Sequence, residues 1–147
     1  MLNYKTQWFF GLLTFFVLLP ACSTSGSLAT KSSEVEYAEA SKETRDAVAL
    51  KTLKNEPNSA VVFARGACCQ SCSIGVRTKV ATLAFVDQSR FNKGIQLDAA
   101  TQLVTLALKP GERVVPIALK RAVEAAGFTP VDLYQLDGEE LKTRSLR

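Results

Sequence analysis

From Ala60 to Leu136 the apolar residues change their spacing segment by segment, and this succession constrains the fold more than any other feature of the chain. Ala60-Val61-Val62-Phe63-Ala64 is a β-branched and aromatic run closed by Gly66-Ala67, which predicts a strand followed by a loop. Cys72 to Phe85 then carries Val76, Val80, Leu83 and Ala84 at i, i+4, i+7 and i+8, a helical spacing. Gly94 to Asp98 and Leu103 to Leu108 read as two strands joined as a hairpin through Ala99 to Gln102, and Lys109-Pro110-Gly111 closes the second. Val115 to Ala126 is a second helix with Ile117, Leu119, Ala122, Val123 and Ala126 as its buried face, and Gly127 stands where a helix takes a left-handed C-terminal residue. A last strand runs from about Thr129 to Leu136 before a polar tail.

Strand, helix, strand, strand, helix, strand is the split βαβ order. The expected fold is therefore α+β, a ferredoxin-like βαββαβ sandwich with two helices on one face of an antiparallel sheet, occupying residues 60–147. No repeat of the length a solenoid needs is visible.

The residues before this domain have a different character. Residues 1–7 carry Lys5 and no acid, and the apolar run Trp8 to Leu19 follows, interrupted by Gly11 and Thr14. Such a run is too short to span roughly 30 Å of hydrocarbon and reads as a secretion signal. It ends in Leu19-Pro20-Ala21-Cys22, which resembles a bacterial lipobox with proline as a departure. The resemblance implies removal of residues 1–21, lipidation of Cys22 and attachment to a membrane outside the cytoplasm. Ser23 after the cysteine implies the outer membrane, with the protein facing the periplasm. Ser23 to Ser33, rich in Ser, Thr, Gly, Ala and Lys, suits a flexible tether. Ser33 with Glu36 forms a capping-box pattern, and a helix is expected up to Asn55. Its apolar positions Val35, Ala38, Val48 and Leu53 make only a patchy stripe, so it is expected to be solvated or loosely docked and outside the core. Residues 22–59 thus read as a lipidated tether with a helix.

Histidine is absent from the chain, which removes Ser/His/Asp and Cys/His nucleophile pairs and imidazole metal ligands. The 18 Lys and Arg against 14 Asp and Glu are scattered without an aromatic platform, so nucleic acid is not an expected partner. Chemistry falls to the four cysteines, Cys22, Cys68, Cys69 and Cys72. Gly66-Ala67-Cys68-Cys69-Gln70-Ser71-Cys72 lies where the first strand passes into the first helix of the domain. There a Cys-x-x-Cys pair meets unsatisfied N–H groups and the positive end of the helix dipole, which favours thiolate. Two thiolates a turn apart can close on one soft cation.

This segment resembles the heavy-metal-associated domain of copper chaperones, mercury-binding periplasmic proteins and the N-termini of metal-transporting ATPases. The family carries Gly-Met-x-Cys-x-x-Cys between first strand and first helix; Gly66, Cys69 and Cys72 match, Cys68 fills the variable position, and Ala67 replaces methionine. Val76 and Ala125-Ala126-Gly127-Phe128 match further family positions. The resemblance implies that Cys69 and Cys72 are metal ligands and that Phe128 shields the site. The implied cargo is a soft ion, Cu(I) foremost, with Hg(II), Cd(II) and Zn(II) as alternatives, and the implied partner is a thiol-bearing protein that exchanges it. Val86 to Lys93, with Asp87, Ser89 and Asn92, is longer than the family's turn and reads as an inserted loop.

Other readings stay open. Cys68 is either a third sulfur ligand, an alternative disulfide partner or a small residue at a variable position. The pair could instead perform thiol–disulfide exchange, with Cys69 as nucleophile and Cys72 as resolving thiol, or form a structural disulfide in a lipoprotein that binds protein partners. Asp132, Asp137, Glu139 and Glu140 read as a solvated charged tail. On the metal reading the protein is not an enzyme and has no catalytic residues.

Overall fold

The continuous apolar run Ala60 to Ala64 cannot turn either face to water. The computed structural model, which describes residues 39–147, places it in the middle of a five-stranded sheet. In chain order the elements are helix α1 (Lys42–Asn55), strand β1 (Ser59–Arg65), helix α2 (Gln70–Val80), strands β2 (Ile95–Asp98) and β3 (Leu103–Ala107), helix α3 (Pro116–Ala125), and strands β4 (Thr129–Asp137) and β5 (Glu140–Ser145). The sheet order is β2-β3-β1-β4-β5, antiparallel throughout. The protein is thus α+β. The expected signal segment, Cys22, the tether and the Ser33/Glu36 pair lie outside the described residues. Among the described residues no helix is long and apolar enough to cross a membrane.

Side chains of β1 alternate between the two faces of the sheet. Ala60, Val62 and Ala64 join Val104 and Leu106 of β3, Val76 and Val80 of α2, and Leu119 and Val123 of α3 in one apolar layer. Val61 and Phe63 point the other way, into a second layer with Leu103, Val131, Tyr134 and the α1 residues Ala49 and Leu53.

Helix α1 is therefore not the loosely docked helix its sequence predicts. Its buried stripe is Arg45, Ala49 and Leu53, at i, i+4 and i+8. The arginine disguises the stripe: its guanidinium carbon lies 4.0 Å from the centre of the Phe63 ring, so a charged residue covers apolar surface. Glu39 accepts from Arg45 Nη1 at 3.2 Å and from Arg65 Nε at 2.9 Å, tying the segment before the helix to the end of β1. Residues 39–41 are not helical. Ser41 is the N-cap, its hydroxyl accepting from the Thr44 N–H at 3.2 Å.

The first helix of the domain also differs from expectation, ending at Val80 and not at Phe85. The Thr82 hydroxyl and the Gln88 amide take the carbonyls of Lys79 and Ala81, so the chain leaves the helix in turns that still bury Phe85 and Val86. Residues 86–93, expected to be a loop, are anchored to the sheet and to the turn before β1. The Asp87 N–H donates to Ala107, while Arg90 donates to the Pro57 carbonyl and to Glu56, each at 2.9 Å. Gly94 closes it at φ 80°, where a Cβ would lie 2.5 Å from Val86 Cγ1 and 2.7 Å from the Asp87 carbonyl oxygen.

The expected polar tail is strand β5. It pairs with β4 from Asp132↔Ser145 to Asp137↔Glu140 around a turn at Gly138 and Glu139, and Lys142 pairs with Asp137. The Lys142 ammonium holds the Asp137 carboxyl below its ordinary range. Asp137, Glu139 and Glu140 are exposed, as solvated charges are.

Candidate functional site

The cysteine segment leaves β1 at a point where the strand is bent. Pairing with β4 slips between Phe63 (opposite Asp132) and Ala64 (opposite Pro130), so Val131 is the additional residue of a bulge. Pro130, which has no N–H to give, sits at that irregularity. Arg65 is the last residue of β1, and Gly66 turns the chain away at φ 93°, a left-handed conformation that suits glycine. The Ala67 N–H returns to the Ala64 carbonyl at 3.1 Å, and the Ala67 side chain is fully buried in the core. The chain then rises through Cys68 to Cys69, the N-cap of α2.

The structure brings Cys69 and Cys72 together as a disulfide, with their Cα atoms 5.2 Å apart. The geometry follows from the helix start: extended backbone at Cys69 turns into α2, and the Cys72 N–H donates to the Cys69 carbonyl at 3.0 Å, one turn on. A disulfide sulfur carries no hydrogen, so the Ser71 hydroxyl donates to Cys69 Sγ, at 3.1 Å. Cys72 Sγ lies 3.8 Å from the Gly66 carbonyl oxygen and packs at the edge of the apolar layer. All three cysteines of the segment are half-buried. The first turn of α2 contains no acid.

Cys68 is a free cysteine next to the pair. Among the described residues no three His, Cys, Asp or Glu side chains gather as a ligand group.

Phe128 reaches the segment by a mechanism readable in the backbone. At the end of α3 the Gly127 N–H donates to the Glu124 carbonyl at 2.9 Å and the Phe128 N–H to the Val123 carbonyl at 3.2 Å, a Schellman closure with Gly127 at φ 89°. The closure delivers the Phe128 ring beside the cysteine segment: ring carbons lie 3.7 Å from where a Cβ on Gly66 would stand and 3.6 Å from the same point on Gly75. The two glycines make room for the ring, which packs half-buried against the core.

One residue of the site has no signal in the sequence. Gln102, in the β2–β3 turn, accepts from the Ala64 N–H through its carbonyl at 3.1 Å and from the Gly66 N–H through its side-chain Oε1 at 2.7 Å. Its place beside Gly66 depends on β3 pairing with β1, a contact between distant parts of the chain.

Comparison of the chain with known protein families, with curated proteins and with solved structures gives no match.

Proposed function

We propose that this chain is a lipid-anchored protein of the bacterial envelope that binds one soft metal ion through Cys69 and Cys72 and sequesters it or passes it to a thiol-bearing partner. The observation that carries this reading is the meeting of the two sulfurs at the start of α2, with Phe128 alongside. The order β1-α2-β2-β3-α3-β4 reads as the ferredoxin-like sandwich, with α1 added on its open face and β5 on its edge. The lipid anchor at Cys22 and the periplasmic face of the outer membrane belong to the same proposal and rest on the N-terminal sequence.

The disulfide is the oxidised form of the pair. Two electrons and two protons convert it to two thiols, which lose protons as they take up the metal. Cu(I) is the foremost cargo; Hg(II), Cd(II) and Zn(II) also accept thiolates. Transfer replaces one thiolate at a time by a partner's, and Cys68 stands next to the pair as an additional sulfur.

The disulfide itself favours a second reading, thiol–disulfide exchange. Cys69 thiolate attacks a substrate disulfide, Cys72 resolves the mixed disulfide, and the chain ends oxidised while the substrate ends as two thiols.

The test is anaerobic Cu(I) competition against a chelator, on the reduced chain as produced in cells and purified in detergent. One-to-one binding that disappears in the Cys69→Ser, Cys72→Ser double variant supports the metal reading, and Cys68→Ser tells whether a third sulfur takes part. Failure to compete with a weak chelator overturns it; turnover of a disulfide substrate by the same sample would then establish the exchange reading.

A further inference from the structure

We infer that Gln102 is a positioning residue for the Cys69/Cys72 pair. The inference rests on the reading of that pair as a working dithiol. The β2–β3 turn is built for a fixed shape: Asp98 accepts from the Ala100 N–H at 3.1 Å and from the Thr101 hydroxyl at 2.7 Å. Gln102 follows in the left-handed region, at φ 57°, although it is not glycine, and is 4% exposed. A conformation of this kind persists only where the surroundings hold it.

What holds it is a double clamp on the end of β1. Main-chain oxygen and side-chain oxygen of Gln102 take the N–H groups of Ala64 and Gly66, the two residues that flank Arg65. Gly66 is where the chain turns, and its carbonyl accepts from the Cys68 N–H at 2.9 Å and lies 3.8 Å from Cys72 Sγ. One peptide unit therefore carries the clamp on its N–H side, and the next carries the contact with the cysteine segment. Without the side-chain clamp the Gly66 N–H loses its protein partner, and the hinge of the segment is held only by the Ala67–Ala64 and Cys68–Gly66 backbone bonds. The pair then meets less often, and both ring closure by the disulfide and closure on a metal weaken.

The experiment uses the full chain in detergent. The ratio of disulfide to dithiol at Cys69/Cys72 is measured in glutathione buffers, where two glutathione thiols become one glutathione disulfide as the pair takes up two electrons and two protons. Cu(I) competition is run in parallel. Gln102→Gly is the main variant, because glycine accepts φ 57° without strain, keeps the carbonyl bond to Ala64 and removes the buried side chain that carries the acceptor oxygen for Gly66. Losing one hydrogen bond at the hinge should lower both equilibrium constants about three- to tenfold. Gln102→Glu keeps an acceptor oxygen and should return both toward wild type. Thr101→Val, which loosens the same turn without touching Gly66, should leave both unchanged.

Wild-type constants in Gln102→Gly overturn the inference, as does an equal loss in Thr101→Val, which would make the turn a matter of stability alone. If the wild-type chain binds no Cu(I), the metal reading fails, and the glutathione ratio still decides the role of Gln102. A shifted ratio then supports positioning of a redox pair, and an unshifted one refutes it.

Discussion

Reducing the Cys69–Cys72 bond should leave the protein folded, and the size of the effect separates a working pair from a structural staple. The bond joins residues only three apart in sequence, so it constrains little of the unfolded chain. Loop-closure entropy for so short a ring corresponds to about 2 kcal/mol at 25 °C. With an unfolding entropy near 2 cal/mol/K per residue over roughly 110 folded residues, that loss lowers Tm by about 9 °C. The rest of the stability lies in the two apolar layers on either side of β1, which contain no part of the disulfide ring except the edge of Cys72. The assay is far-UV circular dichroism melting of the full chain in mild detergent, with and without dithiothreitol, and of the Cys69→Ser, Cys72→Ser double variant. A cooperative melt lowered by about this amount in both samples is the expected result. Loss of the cooperative transition on reduction, or a drop beyond about 20 °C, would refute the reasoning. The ring would then be holding the domain together, and neither a metal carrier nor an exchange protein could pass through its dithiol state intact.

Three further expectations follow from the packing. Leu53→Ala on α1 should cost about 2–5 kcal/mol by chemical denaturation if the helix is part of the core, whereas a cost under about 1 kcal/mol would return α1 to the surface. Gly111→Ala, at φ 78° with open space around the new Cβ, should lose only the left-handed strain of about 1–2 kcal/mol. Gly94→Ala adds overlap with Val86 and Asp87 and should lose about 1–3 kcal/mol more; equal losses at the two sites would show that the loop before Gly94 gives way. Burial pushes the Tyr134 phenol up to about 12 from an ordinary 10.0. The raised value means that the neutral phenol is favoured by folding, so its contribution is complete below pH 10 and is lost as pH rises toward 12. Tyr134→Phe removes a buried hydroxyl that has no hydrogen-bond partner among the described residues, so it should cost little at pH 7 and flatten the alkaline limb of a stability–pH curve. An unchanged alkaline limb in that variant would show that another group governs it.

What the sequence determined by itself was local: where the apolar spacing switches between strand and helix, where Gly127 ends a helix, and where a Cys-x-x-Cys pair meets a helix start. These signals need only neighbours in the chain, and the corresponding strands and α3 lie within a residue or two of their expected bounds. Two features were legible but easily passed over. The unbroken apolar run of β1 implies cover on both faces, which α1 supplies. Gly138-Glu139, with glycine first, is a two-residue hairpin signal between Asp137 and Glu140, and β5 follows it.

Tertiary structure alone decided the rest. Arg45 serves as an apolar-face residue only because the Phe63 ring lies under its guanidinium, so no scale applied to α1 would mark it as buried. Gln102 meets Gly66, and Phe128 meets Gly66 and Gly75, because antiparallel pairing and the Schellman closure bring distant segments to one end of the sheet. A local pattern names the residues able to do the chemistry; which side chains hold them in place depends on contacts that exist only once the sheet has formed.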